Sequence, residues 1–180
     1  MRRTRIDAAM QRFPLAFAAL AALGAAAPAH AGDLFGGFYI HDVKLPTDKS
    51  GLEHGVDLQL GYRGNGIMHT PLQPYAFVAL NSAGDTSYAA VGLSAKFGGR
   101  IYVRPGLGIA VHTGSAGKYY RPDKIAFGSR VLFEPELAIG TQLAPRISLE
   151  ASWVHMSHAQ LFSHENPGID NLGVRLNLKL

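Results

Sequence analysis

This sequence predicts an all-β fold, an eight-stranded antiparallel up-and-down barrel of the outer-membrane kind, on three observations. From residue 32 onward apolar side chains recur with a period of two, as on a strand, and no stretch keeps the 3.6-residue period of an amphipathic helix. The opposite face of the same segments combines small residues (Gly61, Gly92, Gly106, Gly108, Gly173) with Arg104, Glu134, Glu136, Glu150 and Arg175. A soluble sandwich shows its charged face to water. A membrane barrel inverts this, and an eight-stranded one has an interior just wide enough for side chains. Finally, the alternating segments run to about 10–12 residues, the length of a tilted membrane strand rather than the roughly 5–6 of a soluble one.

The elements follow in chain order. Arg2, Arg3, Arg5 and Arg12 precede an apolar run over residues 13–27, which ends in Pro28-Ala29-His30-Ala31. A basic start, a short apolar core and a small-residue cleavage site read as a secretory signal, and the core is too short to span a bilayer. Residues 1–31 are therefore expected to be a cleaved signal peptide and 32–180 the barrel. Segments 34–43 and 71–80 are the weaker strand candidates. Val56, Leu58, Leu60 and Tyr62 alternate with Asp57, Gln59 and Gly61, and residues 88–97, 100–111, 130–139, 146–157 and 169–180 repeat the pattern. Tight turns at Phe97-Gly98-Gly99 and Leu143-Ala144-Pro145 alternate with long connections at 112–127 and 157–168, as short periplasmic turns alternate with long external loops. The connection at 81–85 departs from this, being external yet short. Pro74, Pro105 and Pro135 fall inside strands, where proline removes a ladder bond, and are read as local bulges.

The formal charge of +4 mostly reports the N-terminus. Four of the 17 basic and one of the 13 acidic residues precede Gly32, leaving 13 against 12, a balance of +1. No basic patch for nucleic acid follows. Cysteine is absent, which excludes disulfides and thiol catalysis.

Chemistry concentrates in the last quarter. His155 and Ser157 lie two apart, so they share a strand face, and Ile147, Leu149, Ala151 and Trp153 lead up to them on that face. Asp170 opens a second apolar face, continued by Leu172, Val174, Leu176 and Leu178. With both termini periplasmic, the loop joining these strands is external, and antiparallel pairing brings Asp170 within a few positions of His155. Serine becomes a nucleophile when a histidine takes its proton, and an acid orients the imidazole and stabilises the imidazolium. Asn171, the alternative third member, would face the interior. Ser, His and Asp on a lipid-facing surface suit hydrolysis of a lipid ester.

His155-Met156-Ser157 followed by Gly168-Ile169-Asp170 resembles the PagL-like lipid A deacylases, outer-membrane barrels also called acyloxyacyl hydrolases. Their pattern is His-x-Ser-Asn, then Gly-x-Glu or Gly-x-Asp about a dozen residues later, then a final strand. The resemblance implies Ser157 as nucleophile, His155 as general base and Asp170 as orienting acid. It implies removal by water of the ester-linked acyl chain at the 3-position of lipid A, with no metal or other cofactor. His158 replaces the family's asparagine, which makes it, or loop N–H groups, the candidate holder of the oxyanion. The specific residues lie within 153–180, while the eight-segment layout extends the similarity across residues 32–180.

Other readings compete. His155, His158 and His164 are poorly spaced for zinc. Arg104, Arg130, Glu134, Glu136, Glu150 and Arg175 read as interior salt links. Lys118, Arg121 and Lys124 sit in the longest external loop, where lipid A phosphates or plain solvation would explain them. Trp153 and Tyr62 read as interfacial anchors. The competing function is a non-catalytic, OmpA-like or OmpX-like structural or adhesive barrel. A soluble periplasmic lipid-binding barrel is a third.

Overall fold

A segment that alternates apolar and polar residues has one face for each solvent, and eight such segments pair edge to edge here until the sheet closes. The structure, a computed structural model, describes residues 32–45, 51–117, 124–161 and 167–180. Residues 1–31, expected to be the signal peptide, and Lys118, Arg121, His164 and Asn166, lie outside the described residues. The strands are β1 (Asp33–Ile40), β2 (Val56–Arg63), β3 (Leu72–Asn81), β4 (Tyr88–Ala95, continued in register by Phe97–Gly98), β5 (Ile101–His112), β6 (Val131–Ala144), β7 (Ile147–Met156) and β8 (Ile169–Lys179). Each pairs antiparallel with the next, and β1 closes the barrel against β8 from Asp33↔Lys179 to Ile40↔Leu172. One short 3-10 turn, Ile67–His69, interrupts the β2–β3 connection.

The faces divide as the alternation requires. Leu60, Leu107, Ile139 and Val174 are exposed on the outer surface, whereas Gln59, Arg63, Arg104, Glu134, Glu136, Glu150 and Arg175 are buried inside. Most of the buried charges are paired, while Glu134 accepts the Tyr75 hydroxyl instead. Arg175 bonds Glu136 at 2.9 Å and Glu150 at 2.8 Å, and Arg104 bonds Glu150 at 3.0 Å. The Phe35 ring meets the guanidinium groups of both Arg63 and Arg175, 4.8 and 4.9 Å from its centre. Glycine makes room for these large groups. A Cβ on Gly61 would come within 2.5 Å of the Phe35 ring, and one on Gly140 within 2.4 Å of Tyr102.

Two expectations are corrected. Arg130 is exposed and takes no part in the interior network. Its guanidinium donates instead to the carbonyls of His112 and Gly114, because position 130 precedes β6 rather than lying within it. The prolines are not bulges. Pairing stays in register through Pro74↔Leu93, Pro105↔Leu137 and Leu107↔Pro135, and the one shift between described strands falls at Gln142/Ala144. Pro105 sits beside the break between Ala95 and Phe97, and Pro135 faces β7 where that ladder is interrupted. A missing N–H therefore costs a bond without adding a residue.

Toward the loop end part of the interior is apolar. Ile125 and Phe127, from the β5–β6 loop, are buried with Leu132, Val154, Met156 and Ile169. The β1–β2 loop is held by a charged hub. His41 is buried between Asp57 (Nδ1, 2.9 Å) and Glu53 (Nε2, 3.1 Å), and Glu53 also accepts the Thr86 N–H at 3.0 Å. Burial alone would lower the His41 pKa, but its hydrogen bonds to Asp57 and Glu53 outweigh that and push it up to about 9. Burial likewise favours neutral Glu53, yet the bonds from His41 and Thr86 win and lower its pKa. The sign follows from linkage: the His41 contribution is complete below the unfolded value near 6.5 and is lost as pH rises through about 9. The Glu53 contribution is present above the ordinary carboxylate value and is lost as pH falls. Raising the pH from 7 to 10 should weaken the loop by on the order of 3 kcal/mol. Hydrogen exchange at the Glu53 and Thr86 amides checks this, and equal protection at both pH values would refute it.

Candidate active site

Antiparallel pairing puts His155 directly opposite Asp170. Phe133 and Ser157 exchange both backbone bonds, at 2.8 and 3.2 Å, so the odd residues of β7 turn their N–H and C=O toward β6. On the β8 side His155 and Asp170 are therefore a non-hydrogen-bonded pair, the arrangement in which facing side chains come closest. His155 Nδ1 stands 3.0 Å from Asp170 Oδ1. The carboxylate is buried, with 3% of its side chain exposed against 23% for the imidazole. With Nδ1 turned to the acid, Nε2 is the nitrogen left to act as a base.

Trp153 belongs to the same group. Its indole N–H donates to Asp170 Oδ1 at 2.7 Å, and its ring stacks on His155 with centroids 5.8 Å apart. A membrane-interface anchor would need neither contact. The sequence carried a signal for this, since Trp153 lies two residues before His155 on the same face; register adds that it faces Leu172, the same-face neighbour of Asp170.

Ser157 continues that face beside the exposed Phe133 and is itself buried. Its hydroxyl makes no hydrogen bond to His155. Two residues on one strand face are separated by two rises of about 3.3–3.4 Å, so these two side chains can approach each other only through a change of rotamer. Catalytic hydrogen bonds are often long before substrate binds. Pro135 stands opposite His155 in the β6–β7 register and has no N–H to donate, so the ladder is interrupted beside His155. Beyond Ser157 the strand ends in a tight turn. Leu161 N–H donates to the His158 carbonyl at 3.0 Å, and Ala159 and Gln160 both hold left-handed conformations, with φ of 52° and 61°. Such non-glycine conformations cost energy and concentrate at functional sites. His158 is fully buried behind Ser157, and Asn171 points inward, its amide donating to the Tyr88 hydroxyl at 3.0 Å. Among the described residues no cluster of His, Cys, Asp and Glu is suited to a metal ion.

The family model for lipid A 3-O-deacylase (PagL) matches residues 50–179, a span that includes all of these side chains. The chain belongs to the PagL family. Among solved structures it is similar to the crystal structure of the outer membrane enzyme PagL, with a TM-score of 0.57 and 17% identity, covering 82% of this chain and 99% of that one. It is also similar, at a TM-score of 0.45 and 13% identity over 82% and 99% of the two chains, to the Yersinia pestis outer membrane protein Ail in a phospholipid bilayer nanodisc. No curated protein matches the chain in a sequence search. Membership of the PagL family agrees with the eight-stranded barrel and its apolar belt, and makes lipid A deacylation the activity of the family to which the chain belongs.

Proposed function

We propose that this PagL-family chain is an outer-membrane serine esterase that removes the ester-linked 3-O acyl chain of lipid A. The supporting observation is the His155–Asp170 pair, set on the lipid-facing surface at the loop end of the barrel, two residues before Ser157. In this reading His155 Nε2 takes the Ser157 proton as Oγ attacks the ester carbonyl. The imidazolium is held by Asp170, whose geometry Trp153 helps to fix. His158 and nearby backbone N–H groups stabilise the oxyanion, the alkoxide of lipid A leaves with the proton from His155, and water then releases the fatty acid by the same steps in reverse. Residues 1–31 serve as the export signal, both chain ends lie on the periplasmic side, and the site meets the outer leaflet, where lipid A is the acyl ester at hand. In this reading Lys124, exposed in the β5–β6 loop, is available to its phosphates.

Mass spectrometry of lipid A from membranes expressing the full chain is the test. The expected product is lighter by one hydroxyacyl chain, and unaltered lipid A would overturn the proposal. The second reading, a non-catalytic barrel, draws on the missing Ser157–His155 bond. A serine-reactive phosphonate separates the two, since only an activated Ser157 would be labelled.

A further inference from the structure

The β1–β8 ladder ends at Ile40↔Leu172, two residues short of Asp170. Beyond that point the chain turns sharply at Asp42, whose φ of 51° is left-handed. The turn aims two consecutive N–H groups at the start of β8. Asp42 N–H donates to Asn171 Oδ1 at 2.9 Å, and Val43 N–H donates to the Asp170 carbonyl at 2.7 Å. The Asp42 carboxylate in turn gathers the far side of its own loop, with Oδ2 accepting the N–H groups of Gly51, Leu52 and Glu53 at 2.8, 2.7 and 2.9 Å. Asp42 is buried, so these bonds form where water competes little. A left-handed aspartate that bonds four residues, three across its own loop and one on β8, is far more than a loop needs in order to turn.

We propose that Asp42 is a positioning residue for the active site: through Val43 and Asn171 it braces the backbone of Asp170 and so holds the carboxylate against His155. The proposal rests on the esterase reading above. It assigns the first external loop, remote in sequence from residues 153–170, a part in catalysis. Asp42 touches no reacting atom. Its effect is on the angle at which Asp170 meets Nδ1, and misplacement of a catalytic group by about 1 Å can cost about 100-fold in rate.

The test uses the full-length protein in lipid or detergent and three variants, Asp42→Ala, Asp42→Asn and Asn171→Leu. Two readouts are taken, turnover on lipid A and the proton resonance of the His155 ring N–H that faces Asp170. Asp42→Ala should lower kcat about 10- to 100-fold with KM nearly unchanged, and should weaken or abolish the ring N–H resonance. Asp42→Asn retains an acceptor oxygen for the loop and should recover most of both. Asn171→Leu keeps the carboxylate but removes the acceptor for the Asp42 N–H, so it should reproduce the loss. Heat-modifiable gel mobility will show that each barrel is closed. Full turnover and an intact resonance in both Asp42→Ala and Asn171→Leu, or a loss confined to KM, overturns the inference. If the wild-type chain shows the resonance but leaves lipid A untouched, the esterase reading fails while loss of the signal in Asp42→Ala still upholds the brace.

Discussion

Ser157→Ala should leave lipid A at its full mass, a loss of turnover on the order of 10⁶-fold relative to the wild-type chain. The hydroxyl is the only atom removed, and Ser157 is held through its backbone by Phe133, so the end of β7 should keep its place. Asp170→Asn gives the graded comparison. The amide still offers one oxygen to the Trp153 indole, but it no longer balances an imidazolium and disfavours the tautomer with Nε2 free. Turnover should fall by about 10⁴-fold while binding of lipid A changes little. Lipid A mass spectra against time, with protein level normalised, measure both. Retained activity in Ser157→Ala would mean that the hydroxyl is not the nucleophile, whatever the arrangement around it.

Arg175→Leu should destabilise the barrel by about 3–5 kcal/mol, the usual effect of removing one partner from a buried ionic cluster. The loss falls unequally on its two acids. Glu150 would keep Arg104 at 3.0 Å and the Tyr102 hydroxyl at 2.9 Å. Glu136 would be left with Arg63 at 3.6 Å. Phe35 would lose one of the two cations in contact with its ring. Denaturant unfolding in detergent micelles gives the number, and a change below about 1 kcal/mol would show that the acids are stabilised by something other than Arg175.

Much of the fold was legible because a barrel wall writes itself into the chain with period two. Val91 and Leu93 outside, with Ala90 and Ser94 inside, required no knowledge of partners. The prolines misled because proline in a strand signals a lost bond, and only pairing shows whether a residue has also been inserted. Arg130 misled because the alternating pattern ran on past the point where the strand begins. At the site, His155 and Asp170 were legible as residue types on one face of neighbouring strands. Their direct opposition was not, since it depends on register. Trp153 carried the same face signal but had a commonplace alternative use at a membrane interface. Asp42 carried no signal at all, being 128 positions from Asp170 and significant only once the sheet closes.

Taken alone, the chain determined its class and pointed to the chemistry proposed for it. Alternation fixes which side chains meet lipid, and a histidine, a serine and an acid at the ends of two such strands limit what they can do. Tertiary structure decided everything that depends on distance: which acid faces which imidazole nitrogen, how the interior guanidinium and carboxylate groups pair, and how the first loop comes to lie against the last strand. The physical reason is that the direction of a side chain is set by local backbone geometry. A contact between remote residues is set by strand register and by closure of the barrel, which no short stretch of sequence encodes.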